Sequence, residues 1–153
     1  MKIISGGQTG VDRGALDAAL ATGTPCGGWC PAGRKAEDGV IPARYPVREM
    51  ESPDYAARTR QNILDSDATL LIHFGELEGG TRLTHELCRQ LGKPCLVLDM
   101  TRGDPGQAVA KITAFVRKQH VRVLNVAGPR ASKVPRAAAE TGRLLQRLLA
   151  ETA

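Results

Sequence analysis

The chain is poor in aromatic side chains, with one Trp, two Tyr and two Phe among 153 residues. Single-strand nucleic-acid binders stack bases on aromatic platforms, and the basic residues here are scattered rather than gathered in a stripe, so nucleic acid is not the expected partner. No apolar run approaches the roughly 18 residues that span a bilayer. The opening Met1-Lys2-Ile3-Ile4-Ser5 runs straight into a glycine loop without a signal-like apolar region. A cytoplasmic protein with no membrane association is the expectation. The familiar nucleotide and hydrolase signatures are missing too: no Gly-x-Gly-x-x-Gly, no P-loop, no Gly-x-Ser-x-Gly and no His-Glu-x-x-His. The four cysteines lack the paired spacing of structural zinc, and His73, His85 and His120 are dispersed, so reduced thiols and no metal site are expected.

What is present is a regular alternation of short β-favouring runs and longer helical segments. Strands are expected at Lys2–Ser5, Pro25–Trp29, Tyr45–Met50, Ala68–Phe74, Pro94–Leu98 and Val121–Val126. Helices are expected at Val11–Ala21, from Ser52-Pro53-Asp54 to about Leu64, at Thr81–Leu91, at Pro105–Gln119 and at Pro135–Leu149. Ser52 reads as the cap of the second of these, with Pro53 at its first position. Pro31 to Pro46 shows no sustained period and reads as a long functional or mobile loop. Strands joined by helical crossovers imply α/β architecture: one Rossmann-like domain over residues 1–153, with a mostly parallel sheet covered on both faces.

In a parallel sheet the β–α loops leave from one edge, and three of them are rich in glycine or polar groups. The first is Gly6-Gly7-Gln8-Thr9-Gly10 with Asp12 and Arg13 in the next helical turn; the second is Gly79-Gly80-Thr81 with Thr84; the third runs from Asn125 through Gly128 to Arg130. Such loops offer backbone N–H groups to an anion, and a net charge of +5 suits one. Thr9, Thr81 and Thr84 are phosphate ligands or helix caps, and Asp12 either complements the helix dipole or orients a ligand hydroxyl. Arg34 and Lys35, in the long loop, either fold over an anionic ligand or stay solvated. Asn62, before Asp65-Ser66-Asp67, belongs to a helix exit or to the site. A bulkier residue at Gly7 is expected to block ligand approach with little loss of fold. With no paired nucleophile and base, the sequence argues for binding more than turnover.

These blocks resemble a known family. Ser5-Gly-Gly-Gln-Thr-Gly-Val-Asp-Arg-Gly-Ala-Leu-Asp17, Gly28-Trp-Cys-Pro-Ala-Gly-Arg-Lys-Ala-Glu-Asp-Gly39, Asp65-Ser-Asp-Ala-Thr-Leu70, Gly80-Thr-Arg-Leu-Thr84 and Leu124-Asn-Val-Ala-Gly-Pro-Arg130 are similar to the molybdenum cofactor carrier proteins. That family looks like a branch of the Rossmann-like group that also holds the cytokinin-activating phosphoribohydrolases, often misnamed lysine decarboxylases, and the DNA-processing protein DprA. The resemblance implies a homo-oligomeric carrier that holds molybdopterin, a pterin with a terminal phosphate, and delivers it to molybdoenzymes. Two alternatives stay open: a nucleotide N-glycoside hydrolase of the phosphoribohydrolase type, and a nucleotide-sensing module. The hydrolases carry Pro-Gly-Gly-x-Gly-Thr-x-x-Glu, and Thr84 stands here in place of the glutamate.

Overall fold

Ala68 to His73 are all buried and form β7, a run of apolar and β-branched residues suited to a strand covered on both faces. In the computed structural model, which describes residues 1–152, it lies in a five-stranded parallel sheet. The other members are β1 (Lys2–Ile4), β2 (Cys26–Gly27), β8 (Cys95–Asp99) and β9 (Val123–Ala127), in the spatial order β2-β1-β9-β7-β8. Helices α1 (Val11–Ala21), α4 (Pro105–Lys118) and α5 (Ala137–Thr152) pack on one another over one face. The opposite face carries α2 (Tyr55–Asp65) and α3 (Gly79–Gln90). The main core, with Ile3, Val11, Leu70, Ile72, Leu124 and Leu145, fills the α1–α4–α5 side. This is a Rossmann-like α/β fold, as the alternating pattern predicts.

Local chemistry moves several boundaries. Asp54, not Ser52, caps α2 by accepting the Ala56 N–H at 3.1 Å, while Ser52 Oγ accepts the Asp54 N–H one turn earlier. The segment expected as one strand from Pro25 to Trp29 is split at Gly28. Its φ of 126° is one glycine favours, and a Cβ there would strike the Ser5 backbone. Cys26–Gly27 therefore stays in the main sheet, while β3 (Trp29–Cys30) turns away to pair with β6 (Arg48–Glu49). Helix α4 opens on an unanticipated capping box, Asp104 with Gln107.

The stretch from Pro31 to Pro46 is not featureless. It forms a 3₁₀ turn at Ala32–Arg34 and a hairpin of β4 (Lys35–Ala36) with β5 (Gly39–Val40). Ala36, Ile41, Tyr45 and Val47 close a second core with Leu16 and Cys30. Arg34 points into this segment and donates to four carbonyls: Nε to Ile41, Nη1 to Val47, and Nη2 to Pro42 and Tyr45. One guanidinium thus satisfies backbone acceptors that regular structure would otherwise pair. All four cysteines are free thiols, and no helix among the described residues is long and apolar enough to cross a membrane.

Asp67 ties β7 to β9 at their starts: its carboxylate accepts the N–H groups of Arg122 and Val123 at 2.9 and 2.8 Å. Those bonds hold its carboxyl below the ordinary 3.8. A depressed folded-state value means the stabilisation is present above 3.8 and lost as the pH falls through the folded value. Asp67→Asn is expected to cost about 1 kcal/mol at neutral pH. In urea titrations the gap from the parent should close as the pH is taken well below 3.8.

Candidate functional site

The carboxyl edge opens between β7 and β9, because the chain leaves β7 toward α3 on one face and β9 toward α5 on the other. A crevice of about 420 Å³ lies there. It is walled by Gly6, Gln8 and Asp12 from the first loop, by the first turns of α2 and α3, and by Asn125 to Arg130 with Lys133.

The two glycine loops differ in what their N–H groups have left to offer. At α1 the Val11 N–H is taken by the Pro129 carbonyl at 3.1 Å and that of Arg13 by Gln8 at 3.2 Å. The Gln8 N–H goes to Asp12 and that of Thr9 to the Gln8 side chain. The N–H groups of Gly6, Gly7, Gly10 and Asp12 have no acceptor among the described residues, and at α3 the whole first turn, Gly79, Gly80 and Thr81, is free in the same sense. Those of α3 are the unsatisfied donors of a helix start, facing the crevice. The Thr81 hydroxyl beside them is also without a protein partner although the residue is only 7% exposed. The Thr84 hydroxyl donates to the Gly80 carbonyl at 2.9 Å.

On the floor, Asp12 pairs with Arg58, Nη1 to Oδ2 3.0 Å, with side chains 6% and 11% exposed. Burial pushes the Asp12 carboxyl above its ordinary range against the pull of Arg58 and the Gln8 N–H. Arg58 lies across the position a Cβ on Gly6 would occupy, and its buried Nε has no partner. Its guanidinium sits 5.5 Å from the Tyr55 ring centroid, and Lys35 Nζ sits 4.6 Å from that centroid. Asn125, buried, donates to Thr69 Oγ1 at 3.2 Å.

Of the residues expected from sequence, Gly6, Gln8, Asp12, Gly79, Gly80, Thr81, Thr84, Asn125, Gly128 and Arg130 line the crevice. Six others stand behind it. Thr9 donates to Glu37 and accepts from the Ala131 N–H. Glu37 also takes the Ser132 N–H and pairs with Arg130, and although burial opposes it, these bonds hold its carboxyl low. Arg13 donates to the Gly7 carbonyl and grips Asp38. Gly10 abuts the Pro129 carbonyl, Lys35 braces Tyr55, and Arg34 is spent on its own segment. Gly7 has φ 79° and would place a Cβ 2.9 Å from Ile41 Cδ1, so enlarging it strains the second core rather than only the ligand approach. Gly128 likewise admits the Ile72 carbonyl and Val11.

Tyr55, Arg58 and Lys133 are the lining residues that the glycine pattern passes over. Tyr55, Arg58, Thr59 and Asn62 share one face of α2 at helical spacing, a polar stripe that periodicity exposes. Asn62 is drawn in both directions, binding the Trp29 N–H and carbonyl. Glu86 stays outside, paired with Arg82. Among the described residues no three His, Cys, Asp or Glu side chains gather as metal ligands. The crevice presents the free N–H groups of Gly79, Gly80 and Thr81, a hydroxyl, and three cations each paired with a carboxylate: Arg58 with Asp12, Arg130 with Glu37 and Lys133 with Glu78.

The fold defines a Rossmann-like protein with a crevice at a topological switch point. Read from β7, with the ends joined, the strand order becomes 2-1-3-4-5, the flavodoxin-like order begun elsewhere in the cycle. The chain belongs to the circularly permutated YpsA SLOG family, whose profile matches residues 3–149. It is similar, at 48% identity and a TM-score of 0.94, to a crystal structure from Syntrophus aciditrophicus named "putative molybdenum carrier protein". That similarity covers 97% of this chain and 94% of the other. No curated protein matches.

Breaking the buried pair should be costly because it strands a charge. Arg58→Met is expected to cost about 3 kcal/mol at neutral pH. The deficit should shrink in acid: burial already holds Asp12 above 3.8, and loss of Arg58 raises it further, so the carboxyl protonates early and the unpaired charge disappears. The Asp12→Asn/Arg58→Met double variant should recover much of the loss in denaturant titrations, and equal deficits for single and double variants would contradict the pairing.

Proposed function

We propose that this protein binds a phosphorylated small molecule in the β7–β9 crevice, and that the molybdenum cofactor is its cargo. The observation that carries the reading is the first turn of α3, with the three N–H groups of Gly79, Gly80 and Thr81 left without protein acceptors at the crevice wall. Free donors at a helix start favour a phosphate. Arg130 and Lys133 supply countercharge from the facing loop. The Tyr55 ring offers a flat wall to a pterin. Since no side-chain cluster is suited to ligating a metal among the described residues, the carrier grips its cargo by the organic and phosphate parts. The name of the Syntrophus aciditrophicus protein supports the same cargo. In this reading the carrier works in the cytoplasm as a homo-oligomer and hands the cofactor to molybdoenzymes.

Binding is preferred to turnover because Thr84 occupies the place of a hydrolase glutamate and its hydroxyl is tied to Gly80. A nucleotide monophosphate would use the same donors, and family membership keeps that ligand as the second reading.

Anaerobic titration with molybdopterin, and separately with AMP, tests both. Thr81→Val and Lys133→Met should each weaken the ligand that binds by about tenfold, the equivalent of about 1.4 kcal/mol. Unchanged affinity in both variants would remove α3 from the site.

A further inference from the structure

A second cavity of about 300 Å³ adjoins the crevice and shares with it the wall formed by Glu78, Thr81, Pro129 and Lys133. Its far side is Phe74, Gly75, Glu76 and Val134. Thr81 and Lys133 therefore stand on a wall between two chambers, while Gly79 and Gly80 line the first chamber alone. A phosphate seated at that wall is flanked by space on both sides. A ligand ending in a monophosphate fills the first chamber and leaves the second empty.

The chemistry of the second chamber says what belongs in it. Glu76 and Glu78 line it, and its one basic residue, Lys133 on the shared wall, lies 3.9 Å from the Glu78 carboxylate, which leaves Glu76 as the carboxylate without a cation partner. Carboxylates accept hydrogen bonds from hydroxyl and amino groups and repel a further anion. Acidic side chains beside a phosphate-binding helix start take sugar hydroxyls in other dinucleotide sites. Phe74, with Arg136 5.1 Å from its ring centroid, and Val134 supply an apolar border. Together the chambers fall within the roughly 300–1,000 Å³ of ordinary small-molecule sites.

We infer that the site takes a two-ended ligand joined by a pyrophosphate, with the phosphates at the shared wall of Thr81 and Lys133 and a nucleoside in the chamber of Phe74, Glu76 and Val134. The inference rests on the phosphate reading above and specifies its ligand as a dinucleotide rather than a monophosphate.

Two ligand pairs test it: molybdopterin against molybdopterin guanine dinucleotide, and AMP against diadenosine 5′,5′-pyrophosphate. In whichever pair binds, the two-ended member should bind at least tenfold more tightly. Val134→Trp, which fills the second chamber, should reduce it to the affinity of the monophosphate and leave the monophosphate unchanged. Glu76→Gln, which touches no core, should lower dinucleotide affinity at least threefold and keeps the test alive if Val134→Trp does not fold. Equal affinities within a pair, or a preference that survives both substitutions, would overturn the two-chamber assignment while leaving the phosphate reading intact. Failure of all four ligands to bind would overturn both.

Discussion

A right-handed crossover places its helix on a face set by the direction in which the chain steps across the sheet. From β7 the chain steps outward to β8 and α3 lies on one face; it then steps back past β7 to β9 and α4 lies on the other. No helix can cover the strand ends where the direction reverses. The crevice is the consequence, and the loops after β1, β7 and β9 are its walls because all five strands of the sheet are parallel.

Within that crevice, competition for backbone donors decides which N–H groups remain free for the anion proposed above. Helix α1 follows Gly10 and α3 opens with Gly79 and Gly80, and both have a positive end in the dipole sense. The loop after β9 reaches across and puts the Pro129 carbonyl on the Val11 N–H, which takes the first donor of α1 and leaves that of Asp12 free. Its neighbour Glu37 pins the same loop through Ser132, Arg130 and Thr9. Helix α3 meets no such carbonyl and keeps its donors. The buried Asp12–Arg58 pair then forms a floor whose net charge is near zero, and Arg130 and Lys133, though more exposed, are paired with Glu37 and Glu78, so the backbone donors of α3 are the unpaired positive groups of this wall.

The alternation of strands and helices was legible because runs such as Ala68–His73 and helix starts such as Pro105 are local signals. So were the three glycine-bearing loops and their meeting at one edge. The order of importance among them was not, since the bond between Val11 and Pro129 joins residues over a hundred positions apart and no local pattern carries it. Arg34 was misleading for a related reason. A basic residue in a Pro- and Gly-rich stretch reads as a ligand group, yet its four carbonyl acceptors are created by the fold of that stretch itself. Arg58 was readable in principle from the polar stripe on α2, but such a stripe ordinarily faces water, and only burial against Asp12 turns it inward.

The central claim, that α3 and not α1 holds the anion, is open to one direct measurement. Backbone amide resonances of the ¹⁵N-labelled protein should be followed during titration with pyrophosphate. Saturable downfield shifts at Gly79, Gly80 and Thr81, with Val11 and Arg13 unmoved, are the predicted result. Shifts centred on Val11 and Arg13, with the α3 amides unaffected, would contradict the account.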